Sequence, residues 1–251
     1  MLTKKDQYAL NIQRAVSYCL FIFSATIILF LFQFIFKYKI DGLSEVRKKY
    51  KKILKNAKGS IILCTNHLTL IDSIVQFIVL NSITGYLLNF SSMPWNLPEK
   101  TNFYHKLSWR TLCYLGKCIP VQRMSDLKTR KKTIEKMQYV LEKGDVLSIF
   151  PEGKRSRNGL IDDSDFSYGA GDLLKNLEHP TVICTYLRGR NKGGFGKYPA
   201  KGELFYIDME SFVPISESTG LRRVKDLSTQ IITKLKIMEN KYFEYEATHR
   251  Q

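Results

Sequence analysis

The sequence predicts an α/β protein with a mainly parallel central sheet flanked by helices, and with an N-terminal helical segment embedded in a membrane. Three observations lead to this architecture. From residue 60 onward, short apolar runs rich in β-branched residues alternate with segments of helical periodicity. A long uncharged stretch lies near the N-terminus. The 251-residue chain also carries a formal net charge of +16, which favours anionic partners.

The uncharged stretch runs from Ala15 to Phe36 and contains 22 residues. At about 1.5 Å per residue, a helix of that length reaches across a hydrocarbon core of about 30 Å. The run exceeds the length of about 7–15 residues that is usual for a signal-peptide core, and no small-residue cleavage site follows it. We therefore expect a membrane segment that either spans the bilayer or dips into one leaflet.

Basic residues on the two sides of this stretch predict its orientation. Three precede it and nine lie from Lys37 to Lys58, so the positive-inside rule places the C-terminal part in the cytoplasm. Between Asp41 and Lys58, apolar residues recur at helical spacing among many lysines. This pattern fits a helix on an anionic membrane surface or a basic helix packed on the folded domain. Residues 1–58 are assigned to membrane-associated helices and 59–251 to one domain.

The alternation after residue 60 predicts six strands and five helices. The predicted strands are Ser60–Thr65, Thr84–Phe90, Lys117–Val121, Val146–Phe150, Thr181–Leu187 and Glu203–Met209. The predicted helices are Ile71–Asn81, Phe103–Leu115, Asp126–Lys143, Tyr168–Leu177 and Ser216–Tyr242. The five cysteines are scattered through apolar stretches without a CxxC pair, which predicts reduced thiols in a reducing compartment rather than disulfides or a metal site.

A histidine and an aspartate, His67 and Asp72, follow the first predicted strand and stand five positions apart. On a regular helix, this spacing turns the two side chains apart by about 140°. They meet only if His67 lies in the turn and Asp72 in the first turn of the next helix. The carboxylate then orients the imidazole, whose other nitrogen is free to take a proton from a hydroxyl. Taken alone, such a pair is more often found as surface or capping residues.

Two further segments carry arginines at predicted strand ends. In the segment Phe150–Gly159, three cations surround Glu152, and Gly153 lets the backbone approach a ligand closely. Cations in this number suit a phosphate group, and an exposed charged turn is the alternative. The segment Gly116–Arg123 ends in an arginine at an edge where a ligand can lie.

Together and in this order, the three segments resemble the motifs of the glycerophospholipid acyltransferase family, which includes the bacterial 1-acylglycerol-3-phosphate acyltransferases. The first family motif, N-H-x4-D, is matched by Asn66, His67 and Asp72. The third, F-P-E-G-x-R-S, is matched by Phe150–Ser156, and the second by Gly116–Arg123. The resemblance covers roughly residues 55–190 and makes the folded part of the chain a catalytic domain.

The resemblance implies direct transfer of an acyl group from acyl-CoA or acyl carrier protein, as co-substrate, to 1-acylglycerol-3-phosphate (lysophosphatidic acid). The product is phosphatidic acid. His67 is then the general base and Asp72 stabilises the imidazolium, without a covalent acyl-enzyme, a metal or a further cofactor. The residues that the resemblance assigns to the phosphate and glycerol of the acceptor are Lys100, Arg123, Glu152, Gly153 and Arg155.

The chain departs from the family pattern at Lys154, where threonine is usual, and at Val182–Cys184, where a proline is usual. The acceptor therefore stays open, with glycerol-3-phosphate or a lyso-ornithine-type lipid as alternatives. A non-catalytic, membrane-tethered protein that binds anionic lipid is the alternative outside the enzymes. Membrane phospholipid is an expected partner in either case. Nucleic acid is not, because the aromatic residues are not interleaved with Arg and Lys in an RNA-binding signature.

Overall fold

A mixed sheet forms the centre of the molecule. The structure, a computed structural model, describes residues 2–122, 125–190 and 198–249. Its strands are β1 (Lys39–Ile40), β2 (Ile61–Thr65), β3 (Leu147–Ile149), β4 (Thr181–Gly189) and β5 (Leu204–Phe212), in the spatial order β1-β5-β4-β2-β3. β2 runs parallel to both β3 and β4, β1 is parallel to β5, and β4 is antiparallel to β5. The mainly parallel sheet that the sequence predicts is confirmed.

Helices cover both faces of this sheet. They are α1 (Lys4–Cys19), α2 (Phe21–Phe30), α3 (Leu43–Asn56), α4 (Asp72–Leu80), α5 (Ile83–Leu88), α6 (Lys100–Phe103), α7 (Leu107–Leu115), α8 (Leu127–Glu142), α9 (Gly169–Leu174) and α10 (Gly220–His249). A π-helical turn, Leu31–Ile35, follows α2, and a 3-10 turn, Phe90–Ser92, follows α5. The five predicted helices and four of the six predicted strands are confirmed in place, with shifted ends. The basic segment after Asp41 is the helix α3.

Alternate residues of the strands divide the core into two layers. In β2, Ile62 and Cys64 pack with residues of α8, α9 and α10, on what we call the α10 face. Leu63 packs with residues of α2, α3, α4 and α5, on the α3 face. α1 passes around the end of the sheet, because Leu10 belongs to the first layer whereas Phe21, just after α1, belongs to the second.

Two irregular segments extend the sheet beyond β3. The parallel bridges that attach them are Trp95–Leu147, Asn96–Cys118 and Glu99–Val121. The predicted strand Lys117–Val121 therefore exists as isolated bridges rather than as a regular strand. Because these contacts are all parallel, the segments end at the same edge as β2 and β3, which we call the carboxyl edge. In open α/β sheets this edge is where ligand sites are built.

The predicted strand Thr84–Phe90 is wrong, since most of it forms α5. Ser82 caps this helix: its Oγ accepts a hydrogen bond from the Gly85 N–H at 3.0 Å. Tyr86 is fully buried against aromatic rings of neighbouring helices. Periodicity does not distinguish a strand from a buried helix in so short an apolar run.

The sequence predicts a helix over the uncharged stretch Ala15–Phe36. In the structure this stretch is helical but is broken at Leu20. The helical stretches Lys4–Cys19 and Phe21–Ile35 meet at a bend of 61°. Within the described ranges, no individual helix combines the length and hydropathy of a membrane span. The bent pair meets both criteria when its two parts are counted together.

An ionic cluster around the buried Asp145 binds α1 to the edge opposite the carboxyl edge, shortly before the chain changes direction at Leu20. Asp145, 2% exposed, accepts hydrogen bonds from Arg14 Nε at 3.1 Å and from Trp95 Nε1 at 2.7 Å. Lys117 Nζ lies 3.5 Å from the same carboxylate and donates to the Met93 carbonyl at 2.8 Å. Burial lowers the pKa of Lys117 to about 8, and Asp145 opposes that change.

Candidate active site

The site begins where β2 gives way to α4. Asp72 is the first residue of α4, and its Oδ2 lies 2.9 Å from Nδ1 of His67, which stands in the turn. The two side chains therefore meet in the arrangement that their spacing allows, one in the turn and one at the start of the helix. An acidic residue in the first turn of a helix also interacts favourably with the helix dipole.

Neutral donors fix the carboxylate of Asp72, which is 2% exposed. Its Oδ2 accepts hydrogen bonds from the backbone N–H of Leu68 at 2.7 Å and of Thr69 at 2.8 Å, and its Oδ1 accepts one from Thr69 Oγ1 at 2.5 Å. Because a carboxylate can only accept, Nδ1 of His67 is the donor in the remaining contact. This hydrogen bond sets the tautomer and leaves the lone pair on Nε2.

The ring of His67 stacks on the ring of Phe150, with centroids 4.1 Å apart and planes at 21°. Its side chain is 20% exposed, in contrast to the buried Asp72. With Nδ1 turned toward Asp72, Nε2 is the nitrogen that an incoming hydroxyl can reach. The imidazole is thus oriented as a general base.

The turn after β3 holds the backbone of His67 at two points. Oε1 of Glu152 accepts the His67 N–H at 2.7 Å, and the N–H of Ser156 donates to the His67 carbonyl at 2.8 Å. Gly153 has a φ of +69°, and a Cβ added there would lie 2.8 Å from the Cβ of Ser167. Glycine therefore fits this turn best. The first and third motifs form one hydrogen-bonded unit.

Glu152 lies inside this unit and is 4% exposed. Burial raises the pKa of Glu152 to about 7; the nearby carboxylates of Glu239 and Asp72 add to the rise, and the His67 N–H opposes it. The resemblance assigns Glu152 to the acceptor, whereas in the structure one of its oxygens accepts a hydrogen bond from the backbone of His67.

The cations that follow Glu152 differ in their partners. Lys154 pairs with Asp165 and, at 3.9 Å, with Asp162, so it contributes less net positive charge than the sequence indicates. Arg155 and Arg157 are exposed and make no ion pair within the ranges that the structure describes. Arg155 and Arg157 are therefore both available on this turn for binding an anion, and Arg155 is the one that the resemblance assigns to the acceptor.

Lys100 also lies at the carboxyl edge, as the first residue of α6. Its side chain is exposed, and its backbone N–H donates to the Val121 carbonyl at 2.8 Å. Neighbouring strands are about 4.8 Å apart, so the segment that leads into Lys100, two positions along the sheet, lies about 10 Å from the line of β2. Arg123 falls outside the described residues. Val121, two positions before it in the sequence, lies beside Lys100.

Two further residues shape the turn: Asn66, which the sequence identifies only as part of the first motif, and Thr69, which the motifs do not identify. Asn66 is buried, and its side chain pairs with the backbone of Leu187 in β4, accepting its N–H at 2.7 Å and donating to its carbonyl at 3.0 Å. Thr69 bonds Asp72 through both its N–H and its hydroxyl. The spacing T-x-x-D, which resembles a helix-capping pattern, is the signal that identifies Thr69.

The C-terminal helix supports the loop that follows the third motif. In α10, Glu239 accepts the Ile161 N–H at 3.1 Å, and Lys236 Nζ donates to the Ile161 carbonyl at 3.0 Å. Lys236 and Glu239 also pair with each other at 2.7 Å. The loop is thus held by His67 at its start and by α10 at its end.

The fold and this geometry define a site of the general-base type at the carboxyl edge of an α/β sheet. A family model described as Acyltransferase matches residues 39–215, which is more than half of the chain and contains the whole sheet. The chain belongs to this family and is an enzyme that transfers acyl groups. The resemblance found in its motifs is confirmed at the level of the family. No curated protein matches the chain.

Proposed function

We propose that the protein is a membrane-bound acyltransferase that moves a fatty acyl group from a thioester to the hydroxyl of 1-acylglycerol-3-phosphate, giving phosphatidic acid. The observation that supports this most is the pairing of His67 and Asp72 at 2.9 Å, with Nε2 left available. A lipid-binding protein without catalytic activity has no need of an oriented base.

In the proposed reaction, the acceptor hydroxyl donates a hydrogen bond to Nε2 of His67 and passes its proton to the ring as its oxygen attacks the thioester carbonyl. Asp72 stabilises the imidazolium that forms. The carbon–sulfur bond breaks, and the leaving thiolate takes the proton from the imidazolium. No side chain is acylated in this scheme.

Cations along the same edge support a phosphate-bearing acceptor. Lys100 and Arg155 are both exposed there. Val121, two residues before Arg123, accepts a hydrogen bond from the backbone of Lys100. We assign Lys100, Arg123 and Arg155 to the acceptor phosphate and Gly153 to the close approach of backbone and ligand. An acceptor held by its phosphate presents its hydroxyl to Nε2, and such fixation supplies much of the entropic part of the barrier.

Exposed apolar side chains around α2 support the membrane location. This helix and its π-helical turn bury three aromatic or small residues, Phe21, Ala25 and Phe32. The apolar residues that are more than 40% exposed in this region are Leu20, Ile22, Phe23, Ile27, Phe30, Leu31, Phe34, Ile35 and Phe36. A helix that is apolar all round requires cover by protein or lipid.

We therefore place α2 in one leaflet and the catalytic domain on the cytoplasmic face of the membrane. The exposed lysines of α3, on the same face of the sheet as α2, then lie near anionic head groups and add to adhesion. These lysines are Lys48, Lys49, Lys51, Lys52 and Lys55, of which Lys49 pairs with Asp208.

Product analysis tests the reaction. Purified protein is incubated with labelled palmitoyl-CoA or palmitoyl-acyl carrier protein and with lysophosphatidic acid, glycerol-3-phosphate or a lyso-ornithine lipid. We expect phosphatidic acid from lysophosphatidic acid. Product from another acceptor alone would correct the acceptor, and the absence of any acylated product would refute the proposal.

Replacement of the base tests its role. We expect His67→Ala to lower kcat by at least about a hundredfold, because the proton of the hydroxyl has no acceptor. The thermal midpoint should change little. His105→Ala, at an exposed histidine, is the matched control and should retain full turnover. Comparable turnover in purified His67→Ala protein would contradict the assignment.

A further inference from the structure

A second basic surface lies on α8, on the α10 face. Between Leu127 and Lys136 the chain has five cations and one acid. All six residues from Leu127 to Lys132 are exposed, so the first part of α8 projects beyond the core. We call the side chains Lys128, Arg130, Lys131 and Lys132 the α8 basic surface.

Most of this charge is uncompensated. Lys132 pairs with Asp6 of α1 at 2.9 Å. Over the part of the chain that the structure describes, Lys128, Arg130 and Lys131 take part in no ion pair. Adjacent like charges without partners attract an anionic molecule from a distance.

The length of α1 separates this surface from the apolar surface of α2. Asp6, at the start of α1, contacts Lys132, while Phe21 begins α2 at the other end. The 15 residue steps between Asp6 and Phe21 correspond to about 22 Å of helix. Screening at physiological salt has a length of about 8 Å. The charge of lipid head groups beside Phe21 is therefore largely screened at the α8 basic surface.

The α8 basic surface does adjoin the active site along the carboxyl edge. The N-cap of α8, Asp126, follows Val121 by five residues, and Val121 contacts Lys100. Three strand spacings, or about 15 Å, separate the line of β2 from the segment that ends at Val121. A partner bound to α8 thus lies at the same edge of the sheet as His67, beyond the segment that ends at Val121.

We propose that the α8 basic surface docks the acyl donor in protein-bound form, as a small acidic acyl carrier protein. This inference rests on the acyl transfer proposed above. Complementary charge increases the association rate and orients the carrier. A thioester on a flexible arm crosses the remaining distance, so the carrier body stays on α8 while the acyl carbonyl reaches Nε2 of His67.

Charge reversal on the two basic helices, α8 and α3, distinguishes binding of the acyl carrier protein from binding to the membrane. The test variant is Lys128→Glu with Arg130→Glu and Lys131→Glu, and the matched control on α3 is Lys48→Glu with Lys51→Glu and Lys52→Glu. For each full-length protein, three quantities are measured: binding to immobilised palmitoyl-acyl carrier protein, partition into phosphatidylglycerol vesicles, and kcat/KM with palmitoyl-CoA and with palmitoyl-acyl carrier protein.

We expect the α8 variant to bind the carrier at least about tenfold more weakly and to lose kcat/KM with the carrier donor by a similar factor. Its kcat/KM with palmitoyl-CoA and its partition into vesicles should stay near those of the unmodified protein. The α3 control should lose vesicle partition and keep carrier binding.

Unchanged carrier binding in the α8 variant, or none by the unmodified protein, would overturn the inference. Loss of vesicle partition by the α8 variant would assign this surface to the membrane instead. Circular dichroism checks the fold, and the single change Lys131→Glu serves if the triple variant is unfolded. Because carrier binding is measured without turnover, a protein that binds the carrier and forms no acylated product would contradict the proposed function alone.

Discussion

Two aspartates, Asp72 and Asp145, are equally buried at opposite edges of the sheet, each 2% exposed, and their partners differ. Asp72 accepts hydrogen bonds from two backbone N–H groups, a hydroxyl and an imidazole. Asp145 accepts from Arg14 and the indole of Trp95 and lies next to Lys117.

The two carboxylates are equally buried, so burial does not distinguish the functional one from the structural one. The charge of their partners does. A carboxylate between fixed cations is already compensated, and removing it leaves those cations exposed to a low dielectric. A carboxylate held by neutral donors keeps its charge available for an imidazolium that forms during the reaction. Asp145 should matter most for stability and Asp72 most for turnover.

The largest effect is expected at the structural aspartate. Asp145→Ala should lower the free energy of unfolding by about 3–5 kcal/mol, because the buried cation Lys117 loses its partner. Urea unfolding measures this change. Adding Lys117→Met should restore part of the loss, since it removes the uncompensated charge. A small change in stability, together with lost turnover in folded protein, would reverse the distinction between the two aspartates.

At the other edge, Asp72→Asn should lower kcat at least about a hundredfold, equivalent to about 2.7 kcal/mol in the barrier. The neutral amide does not stabilise the imidazolium. Steady-state kinetics with saturating acceptor measures the effect, with Asp145→Asn as the control that should retain more activity per folded molecule. A loss of less than about fivefold in Asp72→Asn would show that the charge of Asp72 is not used.

A smaller effect concerns Glu152, a third buried carboxylate with a neutral partner. Its pKa of about 7 lies above the ordinary value of 4.5, so the folded protein favours the protonated form. The associated stability is complete below about pH 4.5 and is lost as the pH rises through about 7. Between pH 5 and 8, unmodified protein should lose about 2 kcal/mol more unfolding free energy than Glu152→Gln. Equal losses in urea unfolding would contradict this origin of the pH dependence.

The contact between His67 and Asp72 could be predicted from sequence because both residues belong to one strand, turn and helix. The cluster around Asp145 could not, because its members come from α1, from the segments beside β3 and from the turn that precedes β3. Their meeting depends on how α1 packs around the end of the sheet. The bond from Glu152 to the backbone of His67 joins distant segments in the same way.

The errors in the helical segments have causes in the tertiary structure. The uncharged stretch shows that residues near Leu20 are apolar, and it does not show that the preceding turns of α1 bind the domain through Gln13 and Arg14. The segment taken as the strand Thr84–Phe90 has seven residues, of which Tyr86, Leu87, Leu88 and Phe90 are apolar or aromatic. Its helix is fixed by the Ser82 cap and by the burial of Tyr86, which only the tertiary structure reveals.

The side chain of Asn66 makes two hydrogen bonds to the backbone of Leu187. These bonds take the place of one more backbone pair between β2 and β4. The backbone groups of Leu187 therefore stay hydrogen-bonded although β2 ends at Thr65. The residues that follow no longer have to alternate between the two faces of the sheet, and His67 lies in the turn at the carboxyl edge. An aspartate in place of Asn66 would leave the buried carbonyl of Leu187 without a donor, and a leucine would leave both its carbonyl and its N–H unpaired. Either change would destabilise the edge of the sheet at the point where His67 exchanges its proton.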